Sequence, residues 1–260
     1  MAKKKVNAIV VSQEKLTSDI YALWLATDIA KDAKAGQFVG VYPKNAATLL
    51  PRPISICEVS DDKSRICLVY RIAGRGTEEF STYRKGDSVS LLGILGNGFP
   101  TADIHGKRLF LIGGGIGIPP LLELAKEIND LALLDAFLGY RDDKLFLNEE
   151  IAEYAAVHIA TEDGSIGTEG NVIDAIKSSG LKADIIMACG PTPMLRAIKN
   201  YAAENEIKAF LSLEERMACG VGACLGCVCK TTKTDHHSHV KNSRVCTEGP
   251  VFAAEYVEFN

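Results

Sequence analysis

The chain has 260 residues, 47% of them apolar and 24% charged, with a net charge of -4 and a pI near 5.8. This composition suits a folded protein of one large or two modest domains and argues against extensive disorder. It leaves no broad basic surface for nucleic acid.

From Val6 to about Leu95 the sequence reads as six short strands, five of them marked by Ile20 to Ala26, Gln37 to Tyr42, Ile54 to Val59, Ile66 to Ile72 and Val89 to Leu92. β-branched, aromatic and leucine residues fill them, Gly, Pro, Asp or Lys separates them, and the spacing predicts a small antiparallel β-barrel. From Arg108 the rhythm becomes strand and helix in alternation: LFLI then PPLLELAKEI, LLDAFLGY then NEEIAEYA, VHIATED then NVIDAIKSS, DIIMACG then MLRAIKNYAAE, and AFLSLE. Such alternation predicts a mostly parallel sheet covered by helices. The domains are therefore expected at 1–100 for the barrel, 101–216 for the α/β unit and 217–260 for a cysteine-rich tail. Lys3 to Lys5 precede only the brief apolar run Val6 to Val11, so no secretory signal is expected. The most apolar segment, Leu109 to Leu122, is broken by glycine and proline and falls short of the roughly 20 residues needed to span a bilayer, so no membrane is expected as a partner. Eight cysteines without a signal point to a reducing compartment, and the cytoplasm is the expected location.

The strand Leu109 to Ile112 runs into Gly113, Gly114, Gly115, Ile116, Gly117, Ile118, Pro119 and Pro120. Glycines at a strand's C-terminal end admit a phosphate to the backbone, and the helix that follows offers free N–H groups, so the segment fits a pyrophosphate site as well as it fits a tight turn. Gly115, Gly117 and Pro120 make GxGxxP, which departs from the usual dinucleotide fingerprint GxGxxG. In the barrel half, Arg52, Pro53, Ile54 and Ser55 open one strand, Tyr70, Arg71 and Ile72 end another, and Gly74, Arg75, Gly76 and Thr77 start a short helical stretch. By themselves the arginines fit solvated strand ends or a second pyrophosphate site. Cys189, Gly190 and Pro191 end a later strand, where a plain core thiol before a turn is equally well accommodated.

Together, Arg52 to Ser55, Gly76 and Thr77, Gly113 to Pro120, and Cys189 to Pro191 resemble the ferredoxin-NADP reductase superfamily, in which an FAD-binding barrel precedes a nicotinamide-binding α/β domain. With Glu215 to Cys224, the cysteines after them and Gly249 to Phe252, the whole chain resembles the electron-transfer subunits of class 1B dihydroorotate dehydrogenases. The resemblance implies that Arg52, Pro53, Ile54, Ser55, Tyr70, Arg71, Ile72, Gly76 and Thr77 contact FAD. It implies that Gly113, Gly114, Gly115, Gly117, Pro120, Cys189, Gly190 and Pro191 line the nicotinamide side. Many reductases of the superfamily carry tyrosine where Ile54 stands, so aromatic stacking on the flavin from that position is lost. The implied partner is an FMN-containing dihydroorotate dehydrogenase catalytic subunit in a heterotetramer serving pyrimidine biosynthesis.

Cys219, Cys224 and Cys227 have the spacing C-x4-C-x2-C, which with the distant Cys246 is the plant-type 2Fe-2S pattern. Zinc is the alternative metal, although paired C-x2-C knuckles are its commoner form. Cys229 is a fifth thiol with no place on one cluster, and Cys57 and Cys67 read as buried apolar residues in barrel strands. His236, His237 and His239, set among Thr, Asp, Ser and Lys, read as a solvated loop. No side chain is assigned a catalytic role, because hydride and electron transfer belong to the cofactors NAD(H), FAD and the 2Fe-2S cluster. After the second α/β strand, Arg141 could accept a 2′-phosphate but Asp142 and Asp143 beside it repel one, so NAD(H) is expected over NADP(H). Two other functions share these features: an NAD(P)H reductase subunit for sulfide, sulfite or hydrogenase chemistry, and a zinc-containing nucleotide-sensing protein.

Overall fold

The structure is a computed structural model and describes residues 3–45, 47–234 and 239–259. Its first part contains β1 (Lys4–Lys15), β2 (Ile20–Ala26), β3 (Phe38–Tyr42), β4 (Arg52–Val59), β5 (Arg65–Arg71), α1 (Arg75–Phe80) and β6 (Ser88–Leu95). Among the described residues these six strands close into an antiparallel barrel in the order β1-β2-β5-β4-β3-β6. The closure follows from the period-two pattern: along β6, Val89, Leu91 and Leu95 are buried while Ser88, Ser90 and Leu92 face outward. Closing the sheet also removes the free edges that six short strands otherwise expose.

The second part contains β7 (Arg108–Gly114), α2 (Pro120–Ile128), β8 (Leu133–Tyr140), α3 (Asn148–Ala152), β9 (Ala156–Thr161), β10 (Thr168–Glu169), α4 (Val172–Ser179), β11 (Ile185–Cys189), α5 (Thr192–Glu204) and β12 (Lys208–Ser212). β7 and β11 are buried along almost their whole length, as expected of parallel strands covered by helices on both faces. The third part holds β13 (Val228–Lys230), β14 (Asn242–Arg244) and β15 (Val251–Ala253). The larger sheet runs β10-β9-β8-β7-β11-β12-β15. β15 is antiparallel to β12, so the cysteine-rich tail returns to the α/β unit and does not stand apart from it.

Polar contacts among the described residues hold these parts together. The buried carboxylate of Glu123 in α2 accepts a hydrogen bond from Val59 N in β4 at 2.7 Å. Beside it, Lys126 Nζ reaches Glu58 at 3.4 Å and Asp61 at 2.6 Å. Asn97, just past β6, donates its backbone N–H to Gly249 O at 2.6 Å and its side-chain amide to Glu248 O at 3.1 Å, which ties the barrel to the tail. Among the described residues no helix is long and apolar enough to cross a membrane.

Candidate functional site

In an open parallel sheet the loops at the carboxyl ends of the strands gather at one edge, and the widest crevice lies where the strand order reverses. Here β7 is that point, because β8 and β9 lie on one side of it and β11 and β12 on the other. A cavity of about 1080 Å³ opens there, lined by Gly114 to Gly117 after β7, Tyr140 to Asp142 with Lys144 after β8, Gly190 and Pro191 after β11, and Glu214 after β12. The barrel supplies its opposite wall through Thr17 to Ile20 and Arg71.

The glycines are required by closeness. A Cβ on Gly117 would stand 2.3 Å from Cys189 O, and one on Gly114 would stand 2.5 Å from the Met194 sulfur. Only bare backbone lets the two loops meet at this distance. Gly115 to Gly117 form a single 3-10 turn that hands the chain to α2. Gly113 and Pro120 lie buried beneath the loop and shape it without lining the cavity. The Cys189 thiol is buried as well, and burial, reinforced by the charge of Glu214 and opposed by the Ser212 hydroxyl, pushes it up to about 12. It is a neutral core thiol at physiological pH, behind Gly190 and Pro191 and not itself lining the cavity.

Arg71 joins the two halves. Its Nε lies 3.3 Å from Asp19 Oδ2, and its Nη2 reaches within 3.8 Å of the Cβ position of Gly115. Glu214 is open to the cavity, yet the surrounding protein excludes enough water to raise its carboxyl, an effect that Arg71 opposes. Sequence reasoning passed over Asp19, Met194 and Glu214. The signal available for Glu214 was its place one residue past Leu213 at the carboxyl end of β12, since a ligand-facing loop is expected there.

The barrel residues form a second group. The Arg52 guanidinium packs on Gly76 so closely that a Cβ there would stand 2.7 Å from Nε, and Arg52 Nη1 donates to Leu50 O at 2.6 Å. Thr77 Oγ1 accepts from Ala73 N at 2.9 Å and donates to Gly74 O at 3.0 Å, fixing the turn into α1. Pro53, Ile54 and Ser55 are half-buried beside Arg52 on β4. Tyr70 is placed differently from the rest. Its ring is buried in the barrel between Tyr21 and Phe80, its hydroxyl accepts from Gln13 Nε2 at 2.7 Å, and only its backbone neighbours the half-buried Arg71 and Ile72.

The four spaced cysteines converge in two pairs. Cys219 contacts Cys224, and Cys246 contacts Cys227. Among the described residues no set of three or more His, Cys, Asp or Glu side chains closes on a single ion. Two pairs are the arrangement a two-iron cluster requires, each iron taking two of the four thiolates. Gly220, Gly222 and Leu225 take left-handed backbone angles, φ 67°, 82° and 55°, which turn the loop so that its N–H groups point inward. Val221 N and Ala223 N lie 3.4 and 3.3 Å from the Cys219 sulfur, and Gly226 N lies 3.4 Å from that of Cys224. Burial works to raise the Cys219 thiol, but N–H groups of Val221, Cys224 and Ala223 and the Cys224 side chain hold it down at about 6. Cys229 points elsewhere, donating to Ser243 O at 3.6 Å within the β13–β14 pair, and burial pushes it up to about 11. Cys227 and Cys246 are buried, whereas Cys224 is exposed, so one end of the cysteine group faces solvent. His236 and His237 lie outside the described residues, and His239 is exposed.

Residues 214–258 match the model of the iron-sulfur cluster binding domain of dihydroorotate dehydrogenase B. The "dihydroorotate dehydrogenase B (NAD(+)), electron transfer subunit" of Listeria innocua is 43% identical over 251 residues, covering 95% of this chain and 96% of that protein. The chain belongs to this family. Its counterpart from Lysinibacillus sphaericus is 42% identical over 247 residues, covering 94% of each. Among solved structures, a chain of the NADH-dependent reduced ferredoxin-NADP oxidoreductase, described for flavin-based electron bifurcation, superposes with a TM-score of 0.85. That match is 25% identical and covers 96% of this chain and 89% of the other. The fold is also that of a ferredoxin NADP+ reductase from Neisseria gonorrhoeae, solved with FAD and NADP, at a TM-score of 0.68 over 77% of this chain and 91% of that one. This electron transfer subunit is an oxidoreductase component that works with a catalytic subunit.

Proposed function

We propose that the chain carries electrons between NAD(H) and the FMN of a dihydroorotate-oxidising partner, through FAD on the barrel and a 2Fe-2S cluster in the tail. The domains divide the work: 1–100 holds FAD, 101–216 holds the nicotinamide nucleotide, and 217–260 holds the cluster. FAD supplies the chemistry of the junction, since it exchanges a hydride pair with nicotinamide and single electrons with the cluster. Arg52, with Ser55, Gly76 and Thr77, grips the FAD pyrophosphate by charge and by N–H groups at the start of α1, while Pro53, Ile54 and the Tyr70 to Ile72 backbone support the rest. The Gly114 to Gly117 turn, shaped from beneath by Gly113 and Pro120, holds the NAD(H) phosphates, and Gly190 and Pro191 form the wall beside the nicotinamide with the neutral Cys189 thiol buried behind them. No side chain is asked to move a proton.

Cys219, Cys224, Cys227 and Cys246 are the cluster ligands and Cys229 is not. The observation that carries the reading is the inward turn of backbone N–H groups onto the Cys219 and Cys224 sulfurs, which stabilises thiolates beside iron. A zinc sensor is less well supported, because C-x4-C-x2-C with a distant fourth cysteine is the plant-type 2Fe-2S spacing whereas zinc more often takes paired C-x2-C knuckles. The exposed end of the group, with Val221, Leu225 and Val228 around it, faces the catalytic subunit, and the assembly is a cytoplasmic heterotetramer. Anaerobic NADH addition to the isolated, loaded chain tests this. Flavin bleaching followed by a reduced-cluster EPR signal is expected, and a colourless protein containing zinc alone refutes it.

A further inference from the structure

The hydroxyl oxygen of Thr247 is buried and, among the described residues, meets no hydrogen-bond partner. A buried hydroxyl left unpaired carries its full desolvation penalty, so a native fold keeps one where something else completes the bond. Thr247 directly follows Cys246 in the chain. Its backbone is fixed on both sides: its N–H donates to Arg244 O at 3.1 Å and its carbonyl accepts from Asn97 Nδ2 at 3.4 Å. Across the same turn Arg244 Nε holds the Glu248 carboxylate at 2.9 Å.

The Thr247 side chain lies against the cysteine loop. A Cβ on Gly222 would stand 2.9 Å from Thr247 Cγ2 and 3.2 Å from Oγ1, and Gly222, at φ 82°, turns its own N–H onto the Cys246 sulfur. The hydroxyl thus sits where the loop carrying Cys219 and Cys224 meets the turn carrying Cys246. Backbone N–H groups of Val221, Ala223 and Gly226 already serve the Cys219 and Cys224 sulfurs. Thr247 differs from them in being a side-chain donor, and its proton rotates to whatever acceptor is present.

We propose that Thr247 donates a hydrogen bond from its hydroxyl to a sulfur of the 2Fe-2S cluster and thereby raises the reduction potential of that cluster. The inference rests on the reading above, in which Cys219, Cys224, Cys227 and Cys246 hold the cluster. Reduction adds one electron and no proton to the cluster, and the hydroxyl keeps its proton in both states. A donor aimed at sulfur stabilises the more negative, reduced form over the oxidised one. The cluster then takes an electron from reduced FAD more readily than the four thiolates and the backbone N–H groups alone would allow.

The test is an EPR-monitored redox titration of the FAD- and cluster-loaded chain, native and with Thr247→Val, Thr247→Ala or Thr247→Ser. Removing the hydroxyl is expected to move the oxidised-to-reduced ratio at a fixed potential about tenfold toward oxidised, a fall of about 59 mV for one electron, with iron content and FAD potential unchanged. Thr247→Ser keeps a donor and is expected to stay near the native potential. After exchange into D2O, the reduced native cluster should show a deuteron coupling that the valine and alanine variants lose and the serine variant keeps. An unchanged potential in the valine and alanine variants assigns the hydroxyl to a buried water and overturns the proposal while the cluster stands. A serine variant displaced as far as valine assigns the effect to packing and overturns it too. Should Thr247→Val fail to load the cluster, Thr247→Ala and the deuteron spectra decide the matter in the same way. A native chain that gives no reduced-cluster signal overturns the cluster reading itself, and the proposal falls with it.

Discussion

Gly117→Ala tests the meeting of the two nucleotide loops. The new methyl would lie 2.3 Å from Cys189 O, 2.5 Å from Cys189 C and 2.5 Å from Gly190 Cα, all of them backbone atoms that no side-chain rotation can move. Reaching ordinary contact near 3.4 Å requires the turn after β7 and the end of β11 to part by about 1 Å. Overpacking of this kind costs about 1–3 kcal/mol, which for a chain of this size lowers Tm by roughly 2–12 °C. The functional effect is larger in proportion, because a displacement of about 1 Å at a positioning loop costs on the order of a hundredfold in rate. We expect kcat/KM for NADH with a dye acceptor to fall by roughly that factor. FAD content and reduction by dithionite should stay unchanged, since Arg52 and Gly76 lie on the barrel, outside the cavity wall. A Gly117→Ala protein with native Tm and a kcat/KM within about threefold of native refutes the placement of the nucleotide at this crossing.

Serine at Cys219, Cys224, Cys227 or Cys246 is expected to abolish or strongly alter the visible and EPR signals of the cluster, while Cys229→Ser leaves them intact; the reverse pattern defeats the ligand assignment. Burial raises the Glu123 carboxyl from its ordinary 4.5 to about 7, so the protonated form is favoured in the fold, and up to about 3 kcal/mol of stability present below pH 4.5 is lost as pH rises to 7. Glu123→Gln should therefore flatten the pH profile of chemical denaturation and stabilise the protein at pH 8, and an unchanged profile contradicts this. NADH should show a higher specificity constant than NADPH, and Asp142→Asn, which frees the Lys144 ammonium now 3.0 Å from the Asp142 carboxylate, should narrow the ratio roughly two- to fivefold. A preference for NADPH in the native protein contradicts the assignment.

The barrel and the α/β alternation were legible because both rest on hydrophobic periodicity, and β6 and β7 show the two patterns side by side, one alternating and one buried throughout. β15 and β10 were not, since three and two residues are too few to display a period. The cysteine spacing marked the loop in which these thiols gather, and Cys229, which that spacing leaves over, bonds to Ser243 O in the β13–β14 pair. Tyr70 lay beyond what a motif can specify. Its ring turns inward because residues along a strand alternate between faces, so the interior stack with Tyr21 and Phe80 takes the side chain and leaves the outer surface to its neighbours. Asp19 and Glu214 were missed because each joins the cavity only through folding, Asp19 across the barrel and Glu214 past the last parallel strand.

In the proposed circuit electrons reach the partner only by way of the cysteine loop, and Cys224→Ser tests this route with least disturbance, since Cys224 is the exposed member of the four. The measurement is dihydroorotate-dependent NAD(+) reduction by the variant reconstituted with the catalytic subunit, set beside NADH-to-dye activity of the same preparation. Coupled reduction is expected to fall to background while the dye reaction keeps its native rate. Coupled reduction at the native rate in a protein shown by EPR to lack the cluster contradicts it.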